Sequence, residues 1–381
     1  MNKNFILLLL NVFIASSRAE KLYDITCDTT IKPVVLQCGV GRSNTGIFNV
    51  GTYKKSDNKR VIVAPAGYGP IWLWQETQGA WEYVTALEGE VPPIRSPVKL
   101  IKPTKSNRPL VATSELLNSN WLSNTGNFTV WEGLDNNKWR ATSVVNIPDF
   151  GVISDIDGFI SPNSNLTVVI YGINPYGPDS VTVMEKEDQE WKATWKFNTT
   201  ETAPFHIFKN SNQEQHIVLT EYYKPECVIL KNQQNQVWKH VGSFESGALS
   251  KSNIITFSYA ELNNTPTLFV GTYSGTIVIA QESNNQWDSV ENLAAHNSTV
   301  TGVYGFENSK QTFMISGSWD STIKIWKQQH SSWQVIKIIC MPEGVATIRS
   351  LDYYMNDQDE LVIISGHSDN SVRVWTVGKL S

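Results

Sequence analysis

Cysteine is scarce in this chain, with 4 in 381 residues, which excludes a scaffold built on disulfides. Charge is scarce too. Only 18% of residues are Asp, Glu, Lys or Arg, the net charge is -5, and no basic run exceeds the pairs Lys54-Lys55 and Lys59-Arg60. That distribution excludes the positive patch that holds a nucleic acid or an anionic membrane surface. The 6 histidines include no pair spaced four apart, and no Cys-x-x-Cys occurs, so neither a metal nor a cofactor is expected. A Gly-x-Ser-x-Gly elbow, a phosphate-cradling glycine loop and a Ser-x-Asp-x-Gly-x-x-Trp box are all missing, which removes the common motifs of acyl transfer and nucleotide chemistry. Asp155-Ile156-Asp157-Gly158 begins like a calcium loop, but Phe159, Ile160 and Ser161 follow where further oxygen ligands are needed. The segment reads instead as a turn carrying two solvated acids. Helical periodicity is nearly absent; residues 114–122 could form a turn or two.

The longest apolar run is Phe5 to Ala15, preceded by Lys3 and followed by Ser17-Arg18-Ala19. Its length is half that of a membrane span, and the small residues at 17 and 19 suit a cleavage site, so residues 1–19 read as a secretory signal peptide. Residues 20–381 would then be the mature protein, with no membrane insertion after cleavage. The five Asn-x-Ser/Thr sequences, at Asn127, Asn165, Asn198, Asn263 and Asn297, are no more than the composition produces at random, and say nothing of the compartment.

What the chain has in excess is aromatic residues: 14 Trp, 13 Tyr and 14 Phe. They fall into a repeat. A short β-run ends in Trp or an apolar residue, at Trp74, Trp131, Met184, Leu230, Ala280, Trp326 and Trp375, and after each of the first six marks Trp follows 7 or 8 positions later. These marks are spaced 57, 53, 46, 50, 46 and 49 apart, a register that independent domains would not keep. Each period holds four alternating β-like runs, here called a, b, c and d, separated by Gly, Asn, Ser and Pro clusters. Four-stranded units in series predict an all-β fold, a seven-bladed β-propeller of four-stranded antiparallel blades. The seventh period lacks run d, whereas a spare run, 32–38, precedes the first. The N-terminal run should therefore complete the last blade and close the ring.

The sixth and seventh periods carry a family resemblance. His296, then Ser316-Gly317-Ser318-Trp319-Asp320, then Trp326 resembles the WD-repeat pattern, and Ser365-Gly366-His367-Ser368-Asp369 with Trp375 repeats its spacing. The resemblance implies a buried hydrogen-bonded tetrad of His296, Ser316, Asp320 and Trp326. Five periods depart from it, with Tyr68, Thr125, Pro178, Lys224 and Ser274 at the Asp position.

For the cysteines, Cys27 and Cys38 flank the closing segment and form a plausible disulfide. Cys227 and Cys340 fall in separate blades and read as small core residues. At the turns between runs b and c, large aromatics recur on one rim: Tyr68, Tyr176, Tyr223, Tyr273 and Trp319. Aromatics at exposed tips are frequent interface anchors. The expectation is a monomeric secreted or periplasmic propeller that acts as a non-catalytic scaffold for an unidentified protein partner. A carbohydrate-binding propeller that uses the same rim is the alternative. A hydrolase or lyase with Asp155, Asp157, Glu221 and Asp352 around a central channel is a third possibility.

Overall fold

Four short alternating runs per period give four strands per period, and the seven periods give seven antiparallel four-stranded sheets. The computed structural model describes residues 27–380, except 39–45, 56, 66–69, 88–97, 102–108, 116–124, 135–137, 149–151, 161–165, 174–176, 188–189, 200–204, 221–225, 234–236, 250–251, 285, 331 and 342–345. Strand β1 (Val34–Gln37) comes first and belongs to the last sheet. Blade 1 is β2 (Gly51–Lys54), β3 (Arg60–Pro65), β4 (Ile71–Thr77) and β5 (Ala80–Leu87). Blade 2 is β6 (Val98–Ile101), β7 (Leu110–Glu115), β8 (Thr125–Gly133) and β9 (Trp139–Pro148). Blade 3 is β10 (Val152–Ile160), β11 (Leu166–Ile173), β12 (Asp179–Glu187) and β13 (Glu190–Thr199). Blade 4 is β14 (Phe205–Lys209), β15 (Gln215–Thr220), β16 (Glu226–Gln233) and β17 (Val237–Glu245). Blade 5 is β18 (Ile254–Leu262), β19 (Thr265–Thr272), β20 (Thr276–Ser283) and β21 (Gln286–Ala294). Blade 6 is β22 (Val300–Asn308), β23 (Gln311–Ser318), β24 (Thr322–Gln329) and β25 (Ser332–Cys340). Blade 7 is β26 (Ile348–Met355), β27 (Leu361–His367) and β28 (Ser371–Gly378), completed on the outside by β1.

The first strands of successive blades touch one another around a complete circuit, from β2 through β6, β10, β14, β18 and β22 to β26 and back to β2. The core lies between blades. Phe208, Val218 and Ile229 of blade 4, for example, share one cluster with Phe257, Leu268, Val278 and Trp287 of blade 5. In blades 3 to 6 the Trp that opens the outer strand meets an aromatic of the preceding blade: Trp191 stands edge-on to Phe128 at 5.1 Å and Trp333 edge-on to Phe269 at 5.9 Å. Edge-to-face rings at this separation stabilise beyond their buried area, which accounts for the regular tryptophan spacing. At the marks, Trp74, Met184, Leu230, Ala280, Trp326 and Trp375 are all buried, and Trp131 is half-buried.

In blades 1 to 6 the pairing of strands c and d shifts register beside the mark, as between Ile325 and Trp326. The bulge interrupts the outer ladder, so the exposed edge is a poor template for another strand.

Closure follows the expected route: Val34 pairs with Val374 and Gln37 with Ser371. The disulfide does not. Cys27 bonds to Cys340 at the end of β25, with the Cα atoms 5.5 Å apart, and Cys38 is a buried free thiol, as is Cys227. The physical reason is that β1 runs extended between Cys27 and Cys38, and an extended chain advances about 3.3 Å per residue, so the two cannot meet. Cys38 packs between blades 7 and 1, while residues 27–28 lie along blade 6, where Asp28 N–H donates to Ile338 O at 2.8 Å. A second correction concerns Asp155 and Asp157. They stand within strand β10, not in a turn, and Asp157 is buried.

Candidate functional site

The turns between strands b and c are tied to the chain that enters strand a. Tyr273 N–H donates to Asn253 O at 2.8 Å, Trp319 N–H to Thr299 O at 3.0 Å and Ser368 N–H to Thr347 O at 3.1 Å. Thr299 Oγ1 returns a bond to Tyr273 O at 3.3 Å. The backbone beneath these tips is therefore held from two sides. Gly275 makes the blade 5 turn possible: its φ is +87°, and a Cβ there would stand 2.2 Å from His296 O. Its own carbonyl accepts the amides of Ala295 and His296, so one turn positions both the rim and the start of blade 6.

On this rim Tyr273 is 56% exposed, and its ring stands edge-on to Trp319 at 6.0 Å. Arg349 continues the line, its guanidinium 4.7 Å from the Trp319 ring centre and 5.3 Å from that of Phe48, which is 47% exposed. Four side chains from blades 5, 6, 7 and 1 thus form one ridge. The structure unites Tyr273 and Trp319; Tyr68, Tyr176 and Tyr223 lie outside the described residues, as does Glu221.

Arg349 and Phe48 were not legible in the repeat. Arg349 is the extra residue of a bulge, since Ile348 pairs with His367 and Ser350 with Gly366. The same irregularity at the start of strand a leaves Ser154, Ile255 and Thr301 unpaired in blades 3, 5 and 6. A bulge re-aims its side chain, which no alternation pattern reports.

Beneath the rim the tetrad residues are hydrogen-bonded in series. Trp326 Nε1–H donates to Ser316 Oγ at 2.9 Å, Ser316 Oγ lies 2.8 Å from His296 Nε2, and His296 Nδ1 lies 2.9 Å from Asp320 Oδ2. An ionised carboxylate only accepts, so the proton shared between His296 and Asp320 is donated by Nδ1. Burial lowers the His296 proton affinity, and the bonds from His296 and Thr322 hold Asp320 well below the usual carboxylate range against its own burial. In blade 7 the imidazole comes from a different place. Trp375 and Ser365 repeat the pair at 2.8 Å, but His367 reaches Ser365 from two residues on. Asp369 turns instead to Arg373 at 2.7 Å. Blade 2 keeps a remnant, Trp131 Nε1–H to Thr113 Oγ1 at 3.3 Å.

Burial, aided by Arg373, pushes the fully buried His367 down to about 3. Its neutral form is the folded one, so its stabilisation is complete above the ordinary histidine value of about 6.5 and declines as pH falls toward about 3. The slope is at most about 1.4 kcal/mol per pH unit. His367→Asn should therefore be less stable than wild type at pH 7, by a margin that shrinks at pH 5 in urea titrations. A constant margin would show that His367 is not held neutral.

The channel-side carboxylates join blades. Asp157 lies 3.2 Å from Lys99 Nζ and 3.1 Å from His206 Nδ1, and accepts Ile207 N–H at 3.3 Å, linking blades 2, 3 and 4. Asp352 accepts Thr52 N–H at 2.7 Å, linking blades 7 and 1. Asp155 is raised to about 7 by burial and by Asp157, yet it accepts the amide of Ile156 at 2.9 Å. Among the described residues no group of three or more His, Cys, Asp or Glu could hold a metal ion.

The sequence pattern described as WD domain, G-beta repeat matches residues 287–327, the stretch that contains His296, Ser316, Asp320 and Trp326. Together with seven four-stranded blades in a ring, that match decides the class. The chain is a WD-repeat-like β-propeller. Over 123 residues it is 29% identical to a ubiquitin fusion degradation protein 3 homolog of Caenorhabditis elegans, which covers 32% of this chain and 14% of that protein. The WD-repeat-like propeller shares with that relative only a small part of the relative's length.

Proposed function

We propose that this propeller is an exported, non-catalytic platform that holds a protein partner on the ridge formed by Tyr273, Trp319, Arg349 and Phe48. The observation that carries the reading is the ridge itself: Tyr273 and Phe48 are about half exposed, and the backbone at Tyr273 and Trp319 is fixed by hydrogen bonds. Such anchors provide contact area at low entropic cost, and WD-repeat propellers in general bind protein partners. Asp157 and Asp352 already serve as links between blades, which favours a platform over an enzyme. For export, with residues 1–19 as signal peptide and 20–381 as the propeller, the support is the leader pattern and a disulfide that an oxidising compartment would preserve. N-terminal sequencing of the mature protein should begin at Glu20.

The test is capture of partners by the full propeller and by Tyr273→Ala and Trp319→Ala, each checked for an unchanged circular dichroism spectrum. Loss of a captured protein in both variants is the expected result. Capture unaffected by either change would sink the reading. Binding on a glycan array that is lost with the same changes would replace the protein partner by a sugar.

A further inference from the structure

Resting on that reading, we propose that the ridge selects a partner segment carrying an Asp or Glu side chain flanked by apolar or aromatic residues, with Arg349 as the carboxylate receptor. Arg349 is the one cation of the ridge. Its guanidinium lies 4.7 Å from the Trp319 ring centre and 5.3 Å from that of Phe48, cation–π contacts that leave its N–H donors unused. Its Nε is buried and has no hydrogen-bond partner, and the same is true of Trp319 Nε1. Burial alone lowers the guanidinium from its ordinary value; among the described residues no carboxylate forms an ion pair with it. Two described acids on this rim are engaged elsewhere, Asp320 by His296 and Asp369 by Arg373.

A partly desolvated cation without a counter-ion is costly unless an anion completes it. The fork shape matches a carboxylate, which it can bind through two parallel N–H donors. The surroundings define what must accompany that carboxylate. Phe48 and Tyr273 are exposed on either side, and Ile255, at the bulge of blade 5, is 37% exposed on the same rim. An acid set among apolar side chains fits this surface; an acid-rich, purely polar segment would leave the rings uncovered. Alternate side chains of an extended segment recur about every 6.7 Å on one face, close to the 6.0 Å step from Tyr273 to Trp319.

The experiment is selection of random 12-residue peptides, displayed without a free C-terminal carboxylate, on the intact protein. Recovered sequences should pair Asp or Glu with Phe, Tyr, Trp or Leu. A synthetic selected peptide should bind about 10- to 100-fold more weakly to Arg349→Gln. It should weaken by the same factor when its acid is changed to the amide, and the two changes together should cost no more than either one. Arg349→Lys, which keeps the charge and loses the fork, should fall between. Thermal melts of the variants should match wild type. Peptides that bind through Tyr273 and Trp319 but are indifferent to Arg349→Gln would overturn the carboxylate and leave the platform standing. Peptides unaffected by Tyr273→Ala, Trp319→Ala and Arg349→Gln would overturn both. Failure to select any peptide, with a glycan bound in its place, would also overturn both.

Discussion

Trp326→Ala should lower the unfolding free energy by about 3–5 kcal/mol, the cost of emptying a fully buried tryptophan site. The side chain is 2% exposed and lies in the cluster between blades 5 and 6 with Phe269, Ile279 and Met314. Its removal leaves a cavity that strands paired on both sides cannot collapse. Trp326→Phe separates packing from hydrogen bonding. It keeps most of the apolar volume and loses only the Nε1–H donated to Ser316, whose hydroxyl still has His296. That variant should cost about 1 kcal/mol. Trp131→Ala, at the half-buried mark of blade 2, should cost less than Trp326→Ala. Equilibrium denaturation of the three variants checks the order. An effect below about 1 kcal/mol for Trp326→Ala would show that the marks are not what holds the blades together.

Changing Cys27 and Cys340 together to serine should cost about 2–5 kcal/mol and loosen the seam where β1 meets β28. The bridge joins residues 313 apart in sequence and pins the segment ahead of β1 against blade 6, beside the Asp28 and Lys337 ion pair at 3.4 Å. Without it, β1 is a four-residue strand retained by its ladder and by Leu36 alone among its side chains in the core. Hydrogen exchange at the β1–β28 pairs should quicken before the other blades respond. A reductant should lower the melting temperature of wild type and leave that of the double variant unchanged. Cys38→Ser is the control that fixes the pairing, since it should retain sensitivity to reductant. A Cys38→Ser protein indifferent to reductant would show that Cys38, not Cys340, is the partner.

Much of this was legible in the chain. The marks and the following tryptophans report burial between blades, which depends on side-chain size at a fixed step along a strand, and both are local properties of sequence. His296, Ser316, Asp320 and Trp326 could be named because the WD-repeat spacing survives in the sixth period. Blade 2 was harder to read, because the 116–124 insertion separates Thr113 from Trp131 and hides their bond. In blade 7 the histidine was visible at 367, but the diversion of Asp369 to Arg373 was not.

Composition and periodicity determine, without any coordinates, that this chain makes seven four-stranded sheets and that a run from its N-terminal region completes the last. Strand formation and face burial are set by alternation over a few residues. Tertiary structure alone decided which cysteine meets Cys27, where Asp155 and Asp157 stand, and that Tyr273, Trp319, Arg349 and Phe48 form one ridge. Those are contacts between blades, made by residues 30 to 313 positions apart. They depend on ring closure and on bulges that turn a side chain off its pattern, and neither leaves a periodic trace in sequence.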